Sequence, residues 1–220
     1  MRTIQFLFVL TGLLMASIGS HGCSSSDKSR QAVYNSGSVS VSADTAIFAS
    51  GCFWCTEAHF QRLKGVDTVI SGYIGGRTSN PSYQLVSTGL SGHAEAILVV
   101  FDPKVISYTK LLEVFFATHD PTQLNRQGND IGTQYRSAIF YRTPEQKAQS
   151  EKVMQLLTKS KIYPAPIVTT IDPYSVFYIA EPEHQNYFYK NREDAYCQYV
   201  IVPKLSKFRE VFGELLKNER

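Results

Sequence analysis

Thr45-Ala46-Ile47-Phe48-Ala49-Ser50-Gly51-Cys52-Phe53-Trp54-Cys55-Thr56-Glu57 holds a strand, a turn and a helix start in one stretch. The apolar run from Thr45 to Ala49 suits a buried strand, Gly51 supplies the turn, and a helix is expected over residues 52–63. Two thiols therefore stand at Cys-x-x-Cys spacing on a strand-to-helix junction, around an aromatic pair that holds the only tryptophan of the chain. On a helix this spacing puts Cys52 and Cys55 about one turn apart on one face, within reach of a disulfide after modest adjustment. Unpaired N–H groups of a first turn also favour a thiolate. A single cysteine here would read as a small apolar core residue beside Phe53, Trp54, Ala58 and Leu63. The pair points instead to redox or metal chemistry.

Further strands are expected over residues 66–73, 94–101, 135–141 and 166–171, each rich in β-branched or aromatic residues and bounded by Gly, Pro or Asp. Ser107 reads as the cap of a helix to about residue 117. Thr143-Pro144-Glu145 combines a cap, an N1 proline and an acidic first turn for a helix to about residue 160, and a last helix is expected over 203–217. Some strands are adjacent and others are separated by helices, which predicts an α+β fold, a two-layer sandwich with helices packed on a mixed β-sheet. Polar, glycine-containing loops over 72–92 and 119–133 are where partners of Cys52 are sought.

At 220 residues and 43% hydrophobic content the chain has material for an adequate core without structural disulfides. The net charge of +3 is small and its Lys and Arg residues are dispersed, which argues against nucleic acid as a partner. Arg2 followed by an apolar run over 4–18 reads as an export signal, too short for a comfortable membrane span. Ser20-His21-Gly22-Cys23 is similar to a bacterial lipoprotein processing site, which would make Cys23 a lipidated N-terminus. His21, and the lack of a Leu ahead of it, depart from that pattern. The organisation expected is a signal peptide over 1–22, a Ser- and Gly-rich tether over 23–44 that cannot bury enough surface to fold, and one domain over 45–220. Export places the protein in a bacterial periplasm or cell envelope, anchored there if Cys23 carries lipid.

Six segments occur in order: Gly51-Cys52-Phe53-Trp54, Asn80-Pro81-Ser82-Tyr83, Gly92-His93-Ala94-Glu95, Gln127-Gly128-Asn129-Asp130, Gly132-Thr133-Gln134-Tyr135-Arg136 and His184-Gln185-Asn186-Tyr187. Together they resemble the A-type peptide methionine sulfoxide reductases, from about Thr45 to the C-terminal region. The resemblance implies Cys52 as nucleophile, Glu95 as the acid, and Tyr83 and Tyr135 as the tyrosines that hold the sulfoxide oxygen. It also implies the S epimer as substrate, a sulfenic acid on Cys52, and a monomer with no bound cofactor and no metal, recycled by thioredoxin or a similar dithiol. Oxidised proteins and peptides would be the substrates.

The chemistry of the residues agrees with these roles. A sulfoxide has a positive sulfur and a negative oxygen, so its reduction needs a thiolate aimed at sulfur and donors aimed at oxygen. Glu95 can donate if burial raises its pKa, and Phe53 with Trp54 would form an apolar wall for the methyl group, with Asp130 in a supporting, substrate-binding place. Each also has a plainer reading: Glu95 as a structural carboxylate, the tyrosines as amphipathic core residues, Asp130 as a turn residue. His93, His119 and His184 stand without a second Cys-x-x-Cys pair, so a zinc site is not expected.

Recycling has two candidates. Many members of the family carry Gly where Cys55 stands and use a cysteine in a segment like Ala195-Tyr196-Cys197, so the resemblance favours Cys197 while proximity favours Cys55. The competing reading is a general thiol-disulfide oxidoreductase built on Cys-x-x-Cys, and a third is a non-enzymatic envelope lipoprotein whose aromatic face binds partners. Both leave the segments around Glu95 and Tyr135 without a task.

Overall fold

A computed structural model describes residues 44–218. The expected signal peptide, Cys23 and all of the tether except Asp44 lie outside the described residues. Strand β1 (Asp44–Ser50) leads through Gly51 into helix α1 (Phe53–Phe60). Gly51 takes φ +91°, and a Cβ on it would lie 2.6 Å from the Cβ of Gln127. Only glycine lets the chain turn there, and the turn sets the start of α1 against the sheet.

The other strands are β2 (Val66–Ile74), β3 (Ala94–Phe101), the hairpin pair β4 (Arg126–Gln127) and β5 (Asp130–Ile131), β6 (Ser137–Tyr141), β7 (Thr170–Pro173) and β8 (Tyr178–Ile179). Six of them form one sheet in the order β7-β6-β1-β3-β2-β8, antiparallel throughout except for β6 with β7. The remaining helices are α2 (Tyr83–Ser87), α3 (Tyr108–Thr118), α4 (Pro144–Ser160), α5 (Tyr187–Lys190) and α6 (Val202–Phe212). Ser107 and Thr143 cap α3 and α4 as expected, accepting from the N–H groups of Lys110 and Gln146 at 3.2 Å. This is the expected α+β sandwich of helices on a mixed sheet.

Alternation along β1 and β3 divides the interior. Ala46 and Phe48 with Ile97, Val99 and Phe101 join the larger core beneath α1 and α3, where the rings of Phe60 and Phe115 lie 5.5 and 5.1 Å from Phe48. Each such fully buried phenyl contributes about 1.5 to 3 kcal/mol relative to exposure. Ile47, Ala49, Ala94, Ala96 and Leu98 face the other way into a smaller cluster closed by Phe140 and Phe177. The same period places Glu95 on the face of Ile97 and Val99, under α1, although every position of β3 is buried.

Four boundaries differ from expectation, the first being that α1 ends at Phe60 rather than near residue 63. Strand β6 starts at Ser137 because Thr133–Tyr135 forms a 3-10 turn, with the N–H of Tyr135 donating to the Gly132 carbonyl at 3.0 Å. Residues 166–169 precede β7 rather than belonging to it, since Val168 N–H donates to the Pro121 carbonyl in the loop. The last helix stops at Phe212 and is preceded by a π-helical turn, Cys197–Ile201. Strand β8 pairs two residues with β2, too few to leave a pattern in the sequence. A third cluster, of Cys52, Cys55, Ala58, Phe188, Cys197 and Ile201, seats the C-terminal segment on α1.

Candidate active site

Cys52 is the residue that caps α1, its carbonyl accepting from the N–H groups of Cys55 and Thr56 at 3.2 and 3.3 Å. The hydroxyl of Thr56 donates back to the same carbonyl and lies 2.8 Å from Ser50 Oγ. Glu57 turns away from the thiols and accepts from Asn186 N–H at 2.9 Å and Tyr187 N–H at 3.2 Å. Thr56 and Glu57 thus lock the motif to the sheet end and to the 186–187 turn. Burial pushes the Glu57 carboxyl up to about 7 against the pull of those two bonds.

Glu95 lies under the first turn of α1, where its Oε2 accepts from Phe53 N–H at 3.1 Å. It is 1% exposed, and burial pushes its carboxyl up to about 8, so at neutral pH it holds a proton. The thiols are nearly closed to solvent, Cys52 at 8% and Cys55 at 5% exposed. The two thiols shift each other and titrate as a pair. Burial, the neighbouring Cys55 thiol and the charge of Glu95 raise Cys52 well above the ordinary thiol range. Cys55 moves the other way, down to about 7, through the Cys52 thiol, the Lys204 ammonium and the Tyr196 hydroxyl. Cys55, with the Lys204 ammonium and the Tyr196 hydroxyl beside it, is the more readily ionised of the two. For Cys52, burial works against the thiolate that a helix N-terminus favours.

An aromatic wall rises beside the thiols. Phe53 and Trp54 stack on Tyr83 at 6.4 Å, Tyr83 meets His184 at 4.2 Å, and Trp54 lies flat on Tyr187 at 3.6 Å and 8°. Tyr83 is held through its N–H, which donates to Glu181 Oε1 at 2.8 Å, while Tyr73 OH donates to Glu181 Oε2 at 2.8 Å. Tyr135 packs against the cluster of Cys52, Cys55 and Cys197. Burial first and the charge of Glu95 second raise both the Tyr83 and Tyr135 phenols, so they remain protonated donors.

Residues 44–216 match the family pattern described as peptide methionine sulfoxide reductase. The chain belongs to the A-type peptide methionine sulfoxide reductases. It is 50% identical over 201 residues to the peptide methionine sulfoxide reductase MsrA of Deinococcus radiodurans, an alignment covering 91% of this chain and 98% of that one. Two solved structures are similar: methionine sulfoxide reductase A of Corynebacterium diphtheriae, with a TM-score of 0.62 at 35% identity over 69% of this chain and 76% of that one, and the reduced form of Mxr1 from Saccharomyces cerevisiae, with 0.66 at 31% over 76% and 94%.

For a reductase of this family the geometry gathers the residues expected from the sequence into two groups. Cys52, Cys55, Tyr135 and Cys197 share one cluster, while Phe53, Trp54 and Tyr83 share the wall. Cys197 is fully buried, and burial pushes its thiol up. Asp130 touches the site through Tyr196, whose hydroxyl donates to Asp130 Oδ2 at 3.2 Å. His93 bridges Gly76 N–H and the Thr78 carbonyl, and His119 lies between the Phe115 carbonyl and Ser137 Oγ. Among the described residues no three His, Cys, Asp or Glu side chains stand together as a metal site would need. Sequence reading missed Tyr196, Lys204 and Glu181. Tyr196 had a signal in its place beside Cys197; Lys204 and Glu181 had none.

Proposed function

We propose that this chain reduces the S epimer of methionine sulfoxide in proteins and peptides, with Cys52 as nucleophile and Glu95 as proton donor. The carrying observation is the protonated Glu95 carboxyl held under the same helix turn that carries Cys52, beside an aromatic wall able to take the methyl group. The Cys52 sulfur attacks the sulfoxide sulfur as its proton passes to Cys55, and Glu95 gives its proton to the oxygen. The sulfoxide is reduced by two electrons to methionine and leaves; Cys52 keeps the oxygen as a sulfenic acid, Cys55 is a thiol and Glu95 a carboxylate. Tyr83 and Tyr135 hold the oxygen as charge gathers on it.

Cys55 resolves the sulfenic acid first. It adjoins Cys52 and has the lower pKa, whereas Cys197 is fully buried and raised. The Cys55 sulfur bonds to the Cys52 sulfur, the S–O bond breaks, and the oxygen leaves as water with the proton of Cys55. Cys197, in the same cluster, then exchanges with that disulfide, and thioredoxin or a similar dithiol returns the thiols. The enzyme works outside the cytoplasm, held by lipid on Cys23; the support for this is the leader sequence, and the mass of the protein extracted from membranes tests it.

A peptide carrying one methionine S-sulfoxide, incubated without reductant, tests the activity. Wild-type enzyme yields methionine in proportion to enzyme and leaves the R epimer untouched. An absence of methionine in that single turnover, or its persistence in Cys52→Ser, refutes the reading.

A further inference from the structure

We propose that Lys204, working with Tyr196, is the group that ionises Cys55 for disulfide formation, so that the C-terminal helix supplies the activating charge of the resolving step. This deepens the reading above and rests on Cys55 being the first partner of Cys52. Lys204 Nζ lies 3.8 Å from Cys55 Sγ, reaching it from the first turn of α6, where Pro203 fixes the backbone. Tyr196 OH lies 3.7 Å from the same sulfur, from the residue just before the π-helical turn.

The charged and titratable groups around Cys55 come from every side. Cys52 shares its helix, Glu95 lies under that helix, Asp130 stands behind Tyr196 on the hairpin, and Cys197 adjoins Tyr196. His59, one turn on, is fully buried and pushed down to about 3 by desolvation and by Lys204, so it carries no charge at neutral pH. Arg62 acts on His59 as Lys204 does, and Lys204 is the cation with its ammonium 3.8 Å from the Cys55 sulfur. After the sulfoxide step Glu95 is a carboxylate and Cys55 a thiol, so the thiol must be ionised again in a site that has just gained a negative charge. That is where a fixed cation is needed most.

Tyr196 adds a hydroxyl that can serve both states of the sulfur. It has one proton: with Cys55 as thiol, Tyr196 donates to Asp130 and accepts from the sulfur; with Cys55 as thiolate, the hydroxyl turns its proton to the sulfur. The resolving step remains atom-balanced. The S–S bond forms, the S–O bond of the sulfenic acid breaks, and the hydroxide leaves as water with the proton that Cys55 released; Lys204 stays an ammonium throughout.

The test starts from enzyme that has completed one sulfoxide turnover and follows Cys52–Cys55 disulfide formation against pH. Lys204→Met is expected to move the midpoint of that rate upward by about 1 to 3 pH units, so that formation at neutral pH slows by about 10-fold or more. Lys204→Arg, which keeps the charge, is expected to restore most of the rate, an outcome that a packing role for the lysine stem would not give. As a second measurement, thiolate absorbance of Cys55 in a Cys52→Ser background should shift upward with Lys204→Met and by a smaller amount with Tyr196→Phe. An unmoved midpoint in Lys204→Met together with unchanged absorbance overturns the proposal. Wild-type enzyme that joins Cys52 to Cys197 without passing through Cys55 overturns instead the reading beneath it, and the two results are told apart by mapping the first disulfide.

Discussion

The two thiols of the motif are one helical turn apart and live in opposite company. Burial and the neighbouring thiol resist the ionisation of Cys52, while Cys55 has an ammonium and a phenol beside it that favour its own. Cys52 caps the helix and Cys55 sits within its first turn, and what separates them is burial on one side and residues of the C-terminal segment on the other. The division suits the order of events. In the proposed mechanism the sulfur that meets the sulfoxide has the proton donor Glu95 held under its helix turn, and the sulfur that attacks afterwards lies beside the Lys204 ammonium.

Removing the first half of this contrast has the largest effect. Cys52→Ser abolishes methionine formation, measured as product per enzyme in a single turnover. Next comes Glu95→Gln, which keeps a side-chain oxygen for Phe53 N–H and removes the proton; the first turnover should slow by on the order of 10²-fold. Wild-type first turnover should fall as pH rises through about 8, where Glu95 ionises, and the variant should lose that limb. A variant with an unchanged first-turnover rate would remove Glu95 from its role.

Stability carries the same sign. The folded pKa of Glu95 is raised from the ordinary carboxyl value of 4.5 to about 8, so the stability tied to its protonated form is complete below the ordinary range and is lost as pH rises through about 8. Glu95→Gln should therefore gain on wild type between acid and alkaline pH, by on the order of a few kcal/mol in denaturant melts. Equal pH dependence in both proteins would mean that the carboxyl is not buried as described.

The second half of the contrast gives smaller changes. Cys55→Ser should still form methionine once, more slowly because the acceptor of the Cys52 proton is gone, and recycle with thioredoxin about 10-fold more slowly, with a sulfenic acid on Cys52 that a dimedone-type reagent captures. Recycling at the wild-type rate would move the first disulfide to Cys197. Smallest of all, Asp130→Asn leaves Tyr196 an acceptor without charge, and turnover should fall by about 2- to 5-fold, in keeping with a charged hydrogen bond weakened to a neutral one, a difference of roughly 1 kcal/mol. A change of 100-fold there would instead place Asp130 on the substrate.

Much of the fold could be read before any coordinates. Apolar alternation and caps at Ser107 and Thr143 are local, and they located β1, β3, α3 and α4 to within a few residues. What escaped was decided by distant contacts: a two-residue β8 held by β2, a 3-10 turn that takes Tyr135 out of β6, and a tie from Val168 to Pro121 that delays β7. None of these leaves a periodic trace.

By itself the sequence determined which chemistry is present: two thiols at a glycine turn, an acid on an apolar strand, tyrosines in loops, and an order of motifs that fits one family. Tertiary structure decided how the charge is shared among them. Whether a carboxyl keeps its proton, and which of two adjacent sulfurs gives one up, depends on burial and on groups brought in from more than a hundred residues away, such as Tyr196 and Lys204 beside Cys55. Those distances exist only once the chain has closed on itself.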